Sequence, residues 1–257
     1  MIGTPDSSAE VLRVTLDLGN SSLKAILWKA ERVHARTAFV CSEPDLARRV
    51  VRWLDGFDPP RACALSSVAG RIATQAFAKD FDLSGYAPLC VHPDPGVANR
   101  CNHPETVGFD RLYAARGAIE QLPDGAVVLD AGTALTVDAV RGGEQGPEFL
   151  GGAIAPGPTL LIEALSRGGA QLHAVDPEPP VPTLGRETRE ALESGVVHGF
   201  RGAAAELSRG VGLESGLAGA PRVVTGGAAA WLLEPTPFWS GSLRHVPDLV
   251  HTGLRLA

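Results

Sequence analysis

Apolar and polar positions alternate in two places along this chain in almost the same way. In the middle, Val127-Val128-Leu129-Asp130 is an apolar run that ends in Ala131-Gly132-Thr133, after which Thr136 and Asp138 alternate with Leu135, Val137 and Ala139. The pattern predicts a buried strand, a tight hairpin and a return strand. Near the start, Val11 to Leu16, with Arg13 and Thr15 alternating, runs into Asp17-Leu18-Gly19-Asn20-Ser21, and a return strand follows over Lys24 to Trp28. The two acidic turns stand nearly half a chain apart, which predicts two halves built on one device.

Between and beyond them the periodicity switches between strand and helix. Val33 to Phe39 is a short strand. Pro44 to Leu54 is a helix with Leu46, Val50, Trp53 and Leu54 on one face. Ala62 to Val68 is a buried strand ending in Ser66-Ser67, and Gly70 to about Phe81 is a helix. Strand, helix, strand, helix opens an α/β layer. Leu89 to His92 is a further strand, and Pro93 to Thr106, without periodicity, is a loop. Val107 to Arg111 leads into a helix with Leu112, Ala115, Ile119 and Leu122 at helical spacing, closed by Pro123-Asp124-Gly125. That turn is the expected boundary between a first lobe over 11–122 and a second over 123–257, with 1–10 as a frayed tail.

In the second half, the glycines of Phe149 to Gly157 imply a close backbone approach, and a helix follows through Pro158. Thr188 stands where an N-cap belongs, ahead of a helix with Leu192, Val196, Phe200, Ala204 and Leu207 on one stripe. Arg222 to Thr225 is a strand running into Gly226-Gly227 and a helix through Trp231 and Leu232, a third turn of phosphate-binding type.

Composition narrows the setting. A chain of 257 residues, 44% hydrophobic and 20% charged, can bury a real core in two compact lobes. No apolar run is long enough for a membrane span, and the first ten residues lack the basic and apolar regions of a signal peptide, so a cytoplasmic protein is expected. A net charge of −6 with scattered arginines gives no basic stripe for nucleic acid. Cys41, Cys63, Cys90 and Cys101 form no C-x-x-C pair and are expected to be mostly buried thiols. His92, His103, His173, His198, His245 and His251 show no ligand spacing.

Asp-x-Gly-Asn is good turn chemistry by itself. Repetition on strand ends adds a second meaning: carboxylate, bare glycine amide and hydroxyl together suit a nucleoside triphosphate and its metal. Lys24 would add a point charge. Asp110, beside Gly108 ahead of a helix, is the candidate base, or else a plain N-cap. Arg111 is either a grip on a substrate carboxylate or carbonyl or a surface ion pair.

Asp17-Leu-Gly-Asn-Ser, Gly108-Phe-Asp-Arg111, Asp130-Ala-Gly-Thr-Ala-Leu-Thr-Val-Asp138 and Leu150-Gly-Gly-Ala-Ile-Ala-Pro-Gly157, in this order, resemble type III pantothenate kinase. The match continues through Thr188, Thr225-Gly-Gly227 and Pro247-Asp-Leu-Val-His-Thr-Gly-Leu254. The resemblance implies an α/β fold of two ribonuclease-H-like lobes of the actin/sugar-kinase type with a central interlobe cleft. It also implies a homodimer that phosphorylates pantothenate with ATP, the first step of coenzyme A synthesis. By position, Asp17, Leu18, Gly19, Asn20, Ser21, Ser22, Leu23, Lys24 and Thr133 would contact ATP. Gly108, Phe109, Asp110, Arg111 and Thr188 would contact pantothenate, with Asp110 as base. Asp130 would hold a monovalent cation, K+ or NH4+, and Mg2+ would accompany ATP. Cys101 stands where many members carry tyrosine, and His103 where they carry asparagine. That change motivates a rival reading, a phosphotransferase of the same fold with another small acceptor. A second rival is a non-catalytic nucleotide-binding regulator.

Overall fold

A computed structural model describes residues 11–82, 84–169, 172–234 and 243–257. The tail expected over 1–10 lies outside the described residues. In chain order the elements are β1 (Leu12–Leu18), β2 (Ser22–Lys29), β3 (Arg32–Val40), α1 (Leu46–Leu54), β4 (Ala62–Ser67), α2 (Arg71–Asp82), β5 (Leu89–Val91) and β6 (Ala98–Asn99). A 3-10 turn at Pro104–Thr106 precedes α3 (Phe109–Gln121), β7 (Ala126–Ala131), β8 (Ala134–Arg141), β9 (Glu148–Pro156), α4 (Pro158–Gly168) and α5 (Thr188–Glu214). The chain closes with β10 (Arg222–Thr225), α6 (Ala229–Leu233), β11 (Leu243–His245) and α7 (Leu249–Leu256).

Packing divides the chain into two units. The first takes in the residues up to Pro95, Gly108–Tyr113 and Val250–Ala257; the second takes in Gly96–Val107 and Ala114–Leu249. The end of the chain thus returns to the first unit, an exchange that Pro123-Asp124-Gly125 does not signal.

In the first unit the strand order is β3-β2-β1-β4-β5, with β1, β2 and β3 antiparallel and β1, β4 and β5 parallel. In the second, β9-β8-β7-β10-β11 repeats that order and those directions, with β6 added beyond β9. The burial patterns follow. Central β1 and β7 are mostly buried, while edge strand β3 alternates exposed with half-buried positions. Leu16, Leu23, Leu65, Leu54, Phe77 and Phe81 form the core of the first unit. Leu129, Leu135, Val137, Phe200, Ala204 and Leu232 do so in the second. Each such Leu, Val or Phe side chain contributes about 1.5–3 kcal/mol on leaving water.

Several expectations need correction. Helix α1 starts at Leu46, not Pro44, because Asp45 is left-handed at φ 55° and cannot continue a right-handed helix. Thr188 is the first residue of α5 and Glu187 its N-cap, with no side-chain capping bond; the helix also runs on to Glu214. The Pro93 to Thr106 loop contains β6, held by Ala98 N–H to Pro147 O (2.8 Å) and Arg100 N–H to Phe149 O (2.9 Å), pairing that no local pattern reveals. Of the cysteines only Cys63 is buried; Cys41 and Cys101 are half-buried and Cys90 is exposed.

Candidate functional site

The repeated topology places the two acidic residues in equivalent positions. Asp17 is the next-to-last residue of β1 and Asp130 the next-to-last residue of β7. Asp17 stands opposite Lys24 across its hairpin and beside Ser66 of β4; Asp130 stands opposite Thr136 and beside Thr225 of β10. Each carboxylate therefore has a hydroxyl residue in register on the parallel strand. The Ser66 hydroxyl is buried without a hydrogen-bond partner.

At the first turn, Gly19 N–H donates to Ser22 O at 3.0 Å, and a Cβ on Gly19 would come within 3.2 Å of that oxygen. The turn is tight enough to favour glycine and leaves Asn20 and Ser21 exposed. Ser22, Leu23 and Lys24 begin β2, with Leu23 buried and Lys24 exposed. The half-buried Cys41 thiol donates to Gly19 O at 3.5 Å.

The base candidate is carried by the same unit. Leu18 O accepts from Val68 N–H at 3.0 Å, and a Cβ on Gly108 would lie 3.6 Å from Val68 Cγ1. The turn at Gly108 to Arg111 is thus packed against the residue that abuts the end of β1. Asp110 is not an N-cap: it is the second residue of α3, whose bonds from Arg111 N–H and Leu112 N–H close on Gly108 O. Its Oδ1 accepts from Arg111 N–H at 2.8 Å and folds back over Gly108, where a Cβ would meet it at 2.4 Å. Only glycine leaves room for that carboxylate. Burial pushes the Asp110 carboxyl above its usual range, opposed by the Arg111 amide bond and the Arg111 charge.

In the second unit the glycines have identifiable neighbours. Gly226 has φ +93°, and a Cβ there would fall 2.4 Å from Asp130 Oδ1 and 2.5 Å from Ala131 O. Ala228 N–H then donates to Ala131 O at 2.8 Å, so the Thr225-Gly226-Gly227 turn is seated directly on the end of β7. Gly157 N–H donates to Thr133 O at 3.1 Å, and a Cβ on Gly157 would lie 2.2 Å from Gly132 O, which fixes the hairpin tip carrying exposed Thr133. Gly152 meets Val137 O and the buried Asp138 carboxylate across β8. The close approach foreseen from these glycines is made to their own neighbouring strand and hairpin.

Behind the Gly226 turn, the buried Arg201 of α5 donates to Trp231 O at 2.6 Å and pairs with Glu234, tying down the end of α6. Thr188 is exposed and lines a cavity of about 720 Å³ with His173, Val175, Asp176, Arg189 and Leu192. That is room for a small organic molecule. A second cavity of about 400 Å³ touches Gly19 and Asn20, but Glu43, Asp45 and Asp80 line its wall and would repel a polyphosphate. Among the described residues no three His, Cys, Asp or Glu side chains form a metal cluster, and no helix is long and apolar enough to cross a membrane.

A sequence model of the family described as type III pantothenate kinase matches residues 13–209. A type III pantothenate kinase of Thermomicrobium roseum is 32% identical over 256 residues, covering 95% of each chain. One of Akkermansia muciniphila is 39% identical over 249 residues, covering 94% of this chain and 96% of its own. Among solved structures, the activator of 2-hydroxyisocaproyl-CoA dehydratase from Clostridium difficile, with bound ADPNP, superposes with a TM-score of 0.56 at 12% identity, covering 95% of this chain and 91% of that one. At that identity the likeness speaks for the two-lobed actin/sugar-kinase fold alone. Two sheets of one strand order and near-full-length sequence matches agree: this chain belongs to the type III pantothenate kinase family, the kinases that transfer phosphate from ATP to pantothenate.

Proposed function

We propose that in this chain Asp110 is the base of pantothenate phosphorylation and that the Asp17 to Lys24 hairpin contacts ATP. The supporting observation is within one unit: the Gly108 to Arg111 turn packs on Val68, which is bonded to Leu18 at the start of the glycine turn. As the primary hydroxyl of pantothenate attacks the γ-phosphorus, its oxygen forms the new P–O bond, the bond to ADP breaks, and the hydroxyl proton passes to Asp110. A carboxylate whose pKa is raised by burial is a stronger proton acceptor than a free one. Gly108, Phe109 and Arg111 hold the vitamin, Arg111 by its charge on the carboxylate.

Asp130 Oδ1 and Ala131 O both approach the Cα of Gly226 from the end of β7, oxygen atoms of the kind that suit a hard cation such as K+. Ammonium would be held by the same oxygens through its N–H groups. Mg2+ keeps most of its water and takes its other ligands from phosphates, so the single carboxylate of Asp17 fits without a cluster. Bound there, it would screen the phosphate charge. Homodimer formation, with α5 and α3 as contact surfaces, and a cytoplasmic location complete the reading.

Asp110→Asn is expected to lower kcat by about 10² or more while the ATP dissociation constant changes little. Near-wild-type turnover would remove Asp110 from the role. An acceptor screen separates the rival substrate reading: turnover on another small hydroxyl compound and none on pantothenate would overturn ours. Omission of K+ and NH4+ should depress the wild-type rate and have little further effect on Asp130→Asn.

A further inference from the structure

His92 lies in a segment to which sequence reasoning assigned no chemistry. It follows β5, and its backbone is left-handed at φ 52°, a conformation that histidine adopts more readily than most side chains but still at a cost. The main chain is fixed there by His92 N–H donating to Leu65 O of β4 at 2.8 Å. The imidazole lies on the ring of Phe109 with centroids 4.1 Å apart and planes 16° from parallel. Its Nδ1 is buried without a hydrogen-bond partner, so that nitrogen does not hold the ring in place, and the recorded contact of the imidazole is its face on Phe109.

Phe109 is the residue before Asp110. One turn on, the buried Tyr113 continues the stack at 6.2 Å, and its hydroxyl donates to Pro93 O at 2.6 Å. Two consecutive residues, His92 and Pro93, therefore grip both ends of the first turn of α3, and His92 is tied to β4 by its main-chain bond to Leu65. An exposed acidic residue on a free helix end would sample many directions; this one is borne by a turn clamped above and below.

We propose that His92 is a positioning residue for Asp110, setting the pitch of the first turn of α3 through the face-to-face contact with Phe109. The proposal rests on the reading of Asp110 as base. Its logic is that of orientation: a misplacement of about 1 Å at a reacting group can cost as much as 10²-fold in rate. The strained backbone is retained because the segment must present a flat ring at that point.

The test compares His92→Asn, which tolerates the left-handed backbone but has no ring face, with His92→Phe, which restores the face without the nitrogens. For His92→Asn, kcat is expected to fall on the order of tenfold and KM for pantothenate to rise, with KM for ATP within about twofold of wild type. His92→Phe should recover most of the turnover. Wild-type kinetics for His92→Asn overturn the proposal, and so does a His92→Phe variant as slow as His92→Asn. A fall in kcat matched by the loss of folded protein in circular dichroism, with both KM values unchanged, also overturns it, because that is the signature of mere destabilisation. Asp110→Asn run in parallel separates the two claims. If it is inactive while His92→Asn is normal, only the positioning role falls; if it is active, the base assignment falls first.

Discussion

Substituting Gly253 by alanine should destabilise this protein more than any surface change. Gly253 lies within α7, and a Cβ there would stand 1.9 Å from Tyr113 O and 2.6 Å from Tyr113 C in α3. Non-bonded carbon and oxygen approach no closer than about 3.3 Å, so α7 must back away by more than about 1 Å. The same helix carries His251, whose Nδ1 lies 2.9 Å from the buried Thr15 hydroxyl, which also accepts from Trp28 Nε1–H at 2.8 Å. A shift of that size breaks the bond to Thr15. Overpacking costs about 1–3 kcal/mol and a stranded buried hydrogen-bonding group about 1–3 more, offset by about 1 kcal/mol of helix propensity. A net loss of about 1–5 kcal/mol corresponds to a melting temperature lower by roughly 2–20 °C in a protein of this size. Thermal unfolding followed by circular dichroism measures it. Gly210→Ala is the control, because no atom lies within 4 Å of its added Cβ in α5 and the gain in propensity should raise Tm by about 2–4 °C. A Gly253→Ala protein melting at or above wild type would refute the close approach of α7 to α3.

Other outcomes follow from the ionisable groups and the glycine turns. With Asp110 as the proposed base, and with burial raising its pKa, the acid limb of kcat/KM should fall at a pH above the free aspartate value of about 3.9. By linkage the same shift means that the folded state holds this proton longer than the unfolded chain, and stability from Asp110 is lost as pH rises through the folded pKa; Asp110→Asn should therefore melt higher than wild type at pH 7, and an unchanged or lower Tm contradicts it. His251 has the opposite sign. Burial, then the charges of Lys24 and Arg36, bring its pKa down to about 3, so the unfolded chain takes up a proton near pH 6.5 that the folded protein refuses. Stability should fall as pH drops from about 6.5 towards 3, and His251→Gln should flatten that fall; parallel Tm curves for both proteins would dismiss it. Gly226→Ala forces the turn off Asp130, so with Asp130 as the proposed cation ligand the K+ or NH4+ concentration for half-maximal activity should rise at least roughly tenfold, and an unaltered cation dependence would separate that turn from the cation.

The two acidic hairpins, the helices with apolar stripes and the order of the motifs were legible in the sequence because each rests on local spacing: a period of two, a period near 3.6, or a turn residue at a fixed offset. Asp17 and Asp130 could be matched to one another before any fold was known, since both end an apolar run and precede glycine. What the sequence could not supply was anything that depends on a second strand or a returning helix. The glycines at 152, 157 and 226 announced close contact but not with what; their partners, Asp138, the Gly132–Thr133 tip and Asp130, lie across a sheet or a turn at separations that no periodicity encodes. His92 carried no signal at all, because stacking on Phe109 is set by the path from β5 to α3, and α7 gave no sign that it returns to the unit of β1. Local patterns select elements through interactions a few residues apart, whereas the setting of Asp110 over Gly108, between Val68 and the His92 clamp, exists only once distant segments have been packed together.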